Sequence, residues 1–148
     1  GYADRAEETT NVLTDGRLRT GDVGYLDEDG YLFIVDRIKE LILSGGFNVY
    51  PRMVEEAICA HPAIEEAAVC GVPDLHRGEI VKAFVRLKQG EELKSGALRA
   101  YLKGKLAPFQ MPRQIEFRDE LPRTFMGKLS KKDLIAREVA NQETEKTA

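Results

Sequence analysis

From residue 79 to residue 88 the side chains alternate. Val81, Ala83, Val85 and Leu87 fall on one face, and Lys82, Arg86 and Lys88 on the other, with Ile80 and Phe84 among them. A period of two over ten residues marks a strand with one buried face. Helical patterns lie on both sides of it. Pro51 suits the first position of a helix, where its missing N–H is not needed. Val54, Ala57 and Ile58 then share one face, Glu55 and Glu56 favour the early turns, and His61-Pro62 ends the pattern. Ser95 is placed to cap a helix with an inner stripe of Leu98, Tyr101, Leu102 and Leu106. Ser130 and Asp133 have the spacing of a capping box, opening a last helix with Leu134, Ile135 and Val139 inside. Further strands are expected at 64–72, before Pro73, and at 114–117, after a loop bounded by Pro108 and Pro112. Short strands alternating with helices of this length describe a small α+β domain over residues 37–140.

The chain ahead of that domain has a different texture. Residues 1–19 are polar and read as a loosely packed lead-in. Two apolar runs, Val23-Gly24-Tyr25-Leu26 and Tyr31-Leu32-Phe33-Ile34-Val35, flank Asp27-Glu28-Asp29-Gly30 and predict a β-hairpin. Residues 1–36 therefore read as the edge of a different body, and 141–148 as a polar, frayed tail.

Charge excludes some functions. Lys and Arg number 22 against 25 Asp and Glu, a formal net charge of −3, whereas nucleic-acid binders carry a basic excess. No stretch approaches the roughly 18 apolar residues of a membrane span, and Gly1-Tyr2-Ala3 opens no secretory signal. Cys59 and Cys70 form no metal spacing, and both read as buried small hydrophobes. His61 and His76 have no partner at ligand or triad spacing. No metal site is expected, and the setting is expected to be reducing and cytoplasmic, with peripheral membrane association open for a lipid substrate. The absent initiator Met suggests a piece of something longer.

Four short segments can carry chemistry. In Thr20-Gly21-Asp22, a carboxylate at the mouth of a strand can accept two hydrogen bonds from a ribose diol, or simply cap its own turn. In Asp36-Arg37-Ile38-Lys39, the planar fork of Arg37 can clamp phosphate or ribose oxygens, or the cluster is merely solvated. Ser44-Gly45-Gly46 lets something approach the backbone closely, or is an ordinary turn. It lacks the GxxxxGK[ST] context of a P-loop. The run from Arg123 to Lys132 holds four cations and no acid, and Lys128 follows a glycine on a loop. An ammonium there can neutralise a carboxylate and a phosphate together as they react, or the patch only aids solubility.

The order of these segments resembles the adenylate-forming enzymes: acyl-CoA synthetases, nonribosomal adenylation domains and beetle luciferases. The resemblance is carried by Gly16-Arg17-Leu18-Arg19-Thr20-Gly21-Asp22, Val35-Asp36-Arg37-Ile38-Lys39, Ser44-Gly45-Gly46-Phe47-Asn48-Val49-Tyr50-Pro51 and Gly127-Lys128. Gly71-Val72-Pro73-Asp74 and Leu121-Pro122-Arg123-Thr124 fit the same pattern, and Gly-Phe-Asn-Val-Tyr-Pro looks most like fatty-acyl or related acyl-CoA ligases.

The resemblance implies an α+β C-terminal lid with a short mixed or antiparallel sheet and about three helices. A β-hairpin from the end of a large N-terminal ATP-binding domain would precede it. It implies an ATP-dependent, AMP-forming ligase that uses Mg2+ and coenzyme A, with the lid's own N-terminal domain as partner. The isolated fragment is expected to be inactive. Lys128 would be the adenylation lysine. Asp22 would hold the ribose hydroxyls, and Arg37 would reach ribose or phosphate oxygens. Lys39 would be the hinge, and Gly45 and Gly46 would line the pantetheine tunnel. Asn48 stands where some relatives carry arginine, Arg17 where many carry tryptophan, and Met126 where serine is commoner. A lid-like nucleotide- or partner-binding module without catalysis is the alternative. A third reading, an adenylation domain feeding a carrier protein, would require a phosphopantetheine-attachment serine downstream.

Overall fold

The computed structural model describes the backbone of residues 3–147 and the side chains of residues 3–140. The chain divides into two compact units, Gly1–Lys39 and Glu40–Ala148.

In the first unit, helix α1 (Ala6–Val12) buries no side chain and leads into a minimal hairpin, β1 (Leu13–Thr14) and β2 (Arg17–Leu18). Asp15 and Gly16 between them both have positive φ, the twist that two-residue hairpin loops need. A second antiparallel pair follows, β3 (Asp22–Leu26) and β4 (Leu32–Arg37). It is the hairpin expected from the apolar runs. Its turn is held by Asp27, whose Oδ1 accepts from the Asp29 and Tyr31 amides. Gly24 sits at a register shift, where a Cβ would lie 2.6 Å from the Phe33 carbonyl oxygen. Tyr25 stacks on Phe33 at 5.2 Å, yet these rings, Leu26 and Leu32 all remain exposed. A two-stranded ribbon has no second layer against which to bury them.

The second unit holds the core. After a 3₁₀ turn at Ile38–Glu40, β5 (Ile42–Ser44) and β6 (Phe47–Val49) form a hairpin. Helix α2 (Pro51–Cys59) follows, then the long antiparallel pair β7 (Ile64–Asp74) and β8 (Gly78–Leu87). Helix α3 (Ser95–Leu102), β9 (Gln114–Phe117) and helix α4 (Lys131–Thr147) complete the unit. The strand order is β6-β5-β8-β7. β9 lies parallel to β8 at 82–85, on the edge that β5 meets only at Gly78. The sheet is mixed and carries three helices, the α+β arrangement expected.

Alternation along β8 explains why helices cover both faces. Val81, Ala83 and Val85 pack with Val69, Val54, Ile58, Leu98 and Leu102, so α2 and α3 share one face. Phe84 points the other way and forms a second cluster with Ala68, Cys70, Leu121 and Leu134, so α4 lies there. Lys82 lies on the face opposite Val81 and Val85, as the alternation expects, and that face is covered. Phe84 recruits α4, and Lys82 is buried beneath that helix, paired with Glu116 and Glu138.

Two expectations change. Cys59 is exposed, because Ile58 takes the inward position in the last turn of α2. Cys70 is buried, and burial pushes its thiol up to about 12, as befits an inert packing residue. Ser95 is the first residue of α3 rather than its cap. Lys94 holds the cap position and makes no side-chain capping bond. Ser130 does cap α4, its Oγ accepting from the Asp133 amide at 3.4 Å. α4 continues over 141–147, and Ala148 lies outside the described residues. Among the described residues, no helix is long and apolar enough to cross a membrane.

Candidate functional site

Asp22 and Arg37 are brought together by the β3–β4 register, with Arg37 Nε 3.2 Å from Asp22 Oδ1. The approach to this pair is set by backbone. Gly21 has a φ of +79°, its carbonyl accepts from the Ile38 amide at 2.8 Å, and Thr20 Oγ1 accepts from the Asp22 amide. Asp22 is half-buried and Arg37 exposed, so a carboxylate and a guanidinium stand side by side at a strand mouth, facing solvent. Lys39 is exposed in the 3₁₀ turn, and the division between the two units falls directly after it.

Gly45 and Gly46 are the whole loop between β5 and β6, with Ser44 opposite Phe47. Both have positive φ, +58° and +85°, which a two-residue hairpin loop favours and a side chain would strain. The Gly45 amide donates to the Arg77 carbonyl at 3.1 Å, which fastens this turn to the β7–β8 tip. A Cβ on Gly46 would meet nothing within 4 Å, so a ligand can lie directly against its backbone.

Beside this turn runs a groove of about 540 Å³ whose lining includes Phe47, Arg77, Arg99, Phe109 and Arg113. Phe47 and Phe109 stack at 4.9 Å and are both exposed. Arg99 donates to the Arg113 carbonyl. Aromatic faces among three guanidinium groups suit a ligand carrying a planar ring and phosphates. The sequence reading missed this groove because its residues come from four separate segments of the chain. The one local signal was Phe109 in the loop between Pro108 and Pro112.

Lys128 sits in a tight loop closed by the Arg123–Leu129 bridge and by the Ser130 amide donating to the Pro122 carbonyl. Inside it, the Thr124 amide donates to the Lys128 carbonyl at 2.7 Å, and the Gly127 amide to the Thr124 carbonyl at 2.8 Å. Gly127 has a φ of +78°. Lys128 is exposed, and no acidic side chain among the described residues pairs with its ammonium. Lys131 differs. It is partly buried, 2.6 Å from Glu40 and 2.8 Å from Glu55. Burial opposes its charge, yet those carboxylates hold its pKa above the ordinary lysine value. The basic run therefore separates into a structural cation at 131 and an available one at 128.

The Lys128 loop is anchored through Arg123 to Glu66, near the start of β7, while the glycine turn is fastened beyond Asp74 at its far end. At about 3.3 Å per residue, those two points on β7 are roughly 26 Å apart.

The family model described as AMP-binding enzyme C-terminal domain matches residues 53–128. The chain is 50% identical over 141 residues to a long-chain-fatty-acid–CoA ligase of Bacillus subtilis (strain 168), covering 95% of this chain and 25% of that protein. It is 47% identical to a 2-succinylbenzoate–CoA ligase of Geobacillus kaustophilus (strain HTA426), covering 90% and 27%. Among solved structures it resembles ATP-bound MatB from Rhodopseudomonas palustris. There the TM-score is 0.86 at 40% identity, over 93% of this chain and 27% of that one. The chain thus spans about a quarter of the length of the curated relatives it matches.

Proposed function

Since the chain belongs to the AMP-binding enzyme C-terminal domain family, we propose that it forms the C-terminal part of an ATP-dependent, AMP-forming acid:CoA ligase. One observation carries the reading. An ammonium with no acidic partner among the described residues, on a braced loop, stands a sheet's length from a side-chain-free turn beside a basic, aromatic groove.

The reaction has two steps. A carboxylate oxygen of the acid attacks the α-phosphorus of ATP, and pyrophosphate leaves with the electrons of the broken P–O bond. The thiol of coenzyme A, losing its proton, then attacks the acyl carbon, and AMP leaves. In the first step two anions must approach, and Lys128 lies between them as a compact positive charge. Asp22 accepts the ribose hydroxyls, and Arg37 reaches ribose or phosphate oxygens. In the second step the thiol arm passes along Gly45 and Gly46, and the nucleotide end of coenzyme A occupies the groove. Its ring lies against Phe47 and Phe109, and its phosphates face Arg77 and Arg113.

The rest of the ATP and acid pocket belongs to an N-terminal domain, against which the exposed apolar face of β3–β4 would pack. Among the described residues, no group of three His, Cys, Asp or Glu side chains is arranged to hold a metal ion. Magnesium would be carried on the nucleotide's phosphates.

The groove assignment has a direct test. In the complete ligase, Arg77→Ala together with Arg113→Ala is expected to raise the KM for coenzyme A about tenfold, with acyl-AMP formation within twofold of wild type. An unchanged KM for coenzyme A removes the groove from the proposal.

Two working surfaces this far apart cannot serve one reaction centre together, so the second unit has to rotate, with Lys39 as the hinge. Lys39→Pro fixes φ at 39 and disfavours the helical geometry of Ile38 in the present turn. One half-reaction should fall at least tenfold while the other stays within about threefold, by stopped-flow measurement of each step. Equal rates in both steps would remove Lys39 from the hinge role.

A further inference from the structure

Lys128 has to be held still to act, and apolar packing holds only one side of its loop, where Leu129 packs against the cluster around Phe84. Phe125 and Met126, at the tip of the same loop, are both exposed. The hydrogen bonds within the loop fix its shape but do not attach it to the sheet. Arg123 supplies a second, polar attachment on the side away from Leu129. Its Nη1 donates to the Gly127 carbonyl at 3.0 Å, and its Nη2 lies 2.5 Å from Glu66 Oε2 on β7. Glu66 is itself fixed, because its Oε1 accepts from Arg86 Nη1 at 3.2 Å on β8. Arg86 Nη2 in turn lies 2.8 Å from Glu65. A line of ion pairs thus runs from the end of β8, across the start of β7, to a single carbonyl.

That carbonyl is half of the peptide group joining Gly127 to Lys128. The group is planar, so fixing its oxygen fixes the Lys128 amide and the direction in which its Cα is presented. We propose that Arg123, clamped by Glu66, is a positioning residue that aims Lys128 for acyl-AMP formation. The inference rests on the ligase reading and adds to it a residue that touches no reacting atom. A guanidinium is suited to the task because its fork reaches a carboxylate and a carbonyl at once. A lysine presents its donors from one point on a flexible stem and does not reproduce that fixed fork.

The kinetic signature follows from acting through Lys128 alone. In the complete ligase, Arg123→Ala is expected to lower kcat for acyl-AMP formation 10- to 100-fold, the scale of a misplaced catalytic group. The KM for ATP should change less than twofold, and thioester formation from supplied acyl-AMP should stay within twofold. Glu66→Gln, which keeps the shape and weakens the pairing, should show the same pattern at smaller amplitude. Arg123→Lys should fall between Arg123→Ala and wild type.

The deciding measurement is the double substitution. With Lys128→Ala already present there is no ammonium left to aim, so Arg123→Ala should then cost less than twofold. If the two losses multiply instead, Arg123 does not act through Lys128 and the proposal is overturned. A raised KM for ATP with kcat kept also overturns it, because Arg123 would then be touching nucleotide. An equal loss in both half-reactions overturns it in favour of a role in folding alone. If Lys128→Ala leaves acyl-AMP formation intact, the role of Lys128 fails first and the clamp with it.

Discussion

Lys128→Ala in the complete ligase is expected to reduce acyl-AMP formation by about 10²- to 10³-fold, the loss seen when a preorganised electrostatic stabiliser is removed. Conversion of supplied acyl-AMP and coenzyme A to thioester should stay near the wild-type rate. The asymmetry is the informative part. Negative charge accumulates between carboxylate and α-phosphate only in the first step, so an ammonium stabilises that transition state and has no counterpart in the second. The side chain is exposed, and no described acid neutralises it, so no compensating contact is lost when it is removed. Lys128→Arg should recover only part of the rate, because a planar fork does not replace a point charge between two anions. Equal loss in both steps would mean that the substitution had damaged the fold or the coenzyme A surface, and the assignment of Lys128 would fall.

Much of the architecture was legible in the sequence because it is governed by local periodicity. The alternation of Val81, Ala83, Val85 and Leu87 located the central strand, and the 3–4 spacing of Val54 and Ile58 located α2. What periodicity could not say was what covers the second face of that strand. The alternation puts Lys82 on the face opposite Val81 and Val85 but does not say what lies over that face. The deciding facts lie at Phe84, two residues on, and at Glu138, fifty-six residues away on α4.

The same distinction separates the parts of the candidate site. Gly45, Gly46 and Lys128 were visible as local turn chemistry. The groove formed by Phe47, Arg77, Phe109 and Arg113 exists only after β6, the β7–β8 tip and the 108–113 loop converge. Arg123 was read as one cation among four. Its distinctive role depends on a glutamate in β7.

The buried cluster beneath α4 gives the largest expected effect on stability. Lys82 Nζ lies 2.5 Å from Glu138 and 2.8 Å from Glu116, and Arg118 lies 2.6 Å from Glu116 and 3.5 Å from Glu138. Both cations sit over the Phe84 ring, at 5.0 and 4.6 Å from its centroid. Two carboxylates thus share two cations on an aromatic floor, tying β8, β9 and α4 together. Lys82→Met would leave the buried Glu138 and the more open Glu116, whose side chain is 36% exposed, with one guanidinium. Removing one partner from a fully buried pair costs about 3–5 kcal/mol, and the remaining Arg118 and the solvent at Glu116 place the expectation at about 3 kcal/mol or below. Urea unfolding of the chain would measure it. Lys82→Met combined with Glu138→Leu should recover most of the loss, because no uncompensated charge then remains under the helix.

Dependence on pH gives a second check on the same cluster. Burial alone would lower the Lys82 pKa, but the hydrogen bonds it donates to Glu116 and Glu138 raise it above the ordinary lysine value. Its contribution is therefore complete below that value and disappears as pH rises through the raised one. Burial would likewise raise the Glu116 pKa, but the hydrogen bonds from Lys82 and Arg118 hold it below the ordinary glutamate value. Its contribution is complete above that value and is lost as pH falls through the lowered one. The stability difference between wild type and Lys82→Met should therefore be widest across the neutral range and narrow towards both extremes. A difference that did not change with pH would mean that Lys82 stabilises the unit through its aliphatic stem on Phe84 rather than through its charge.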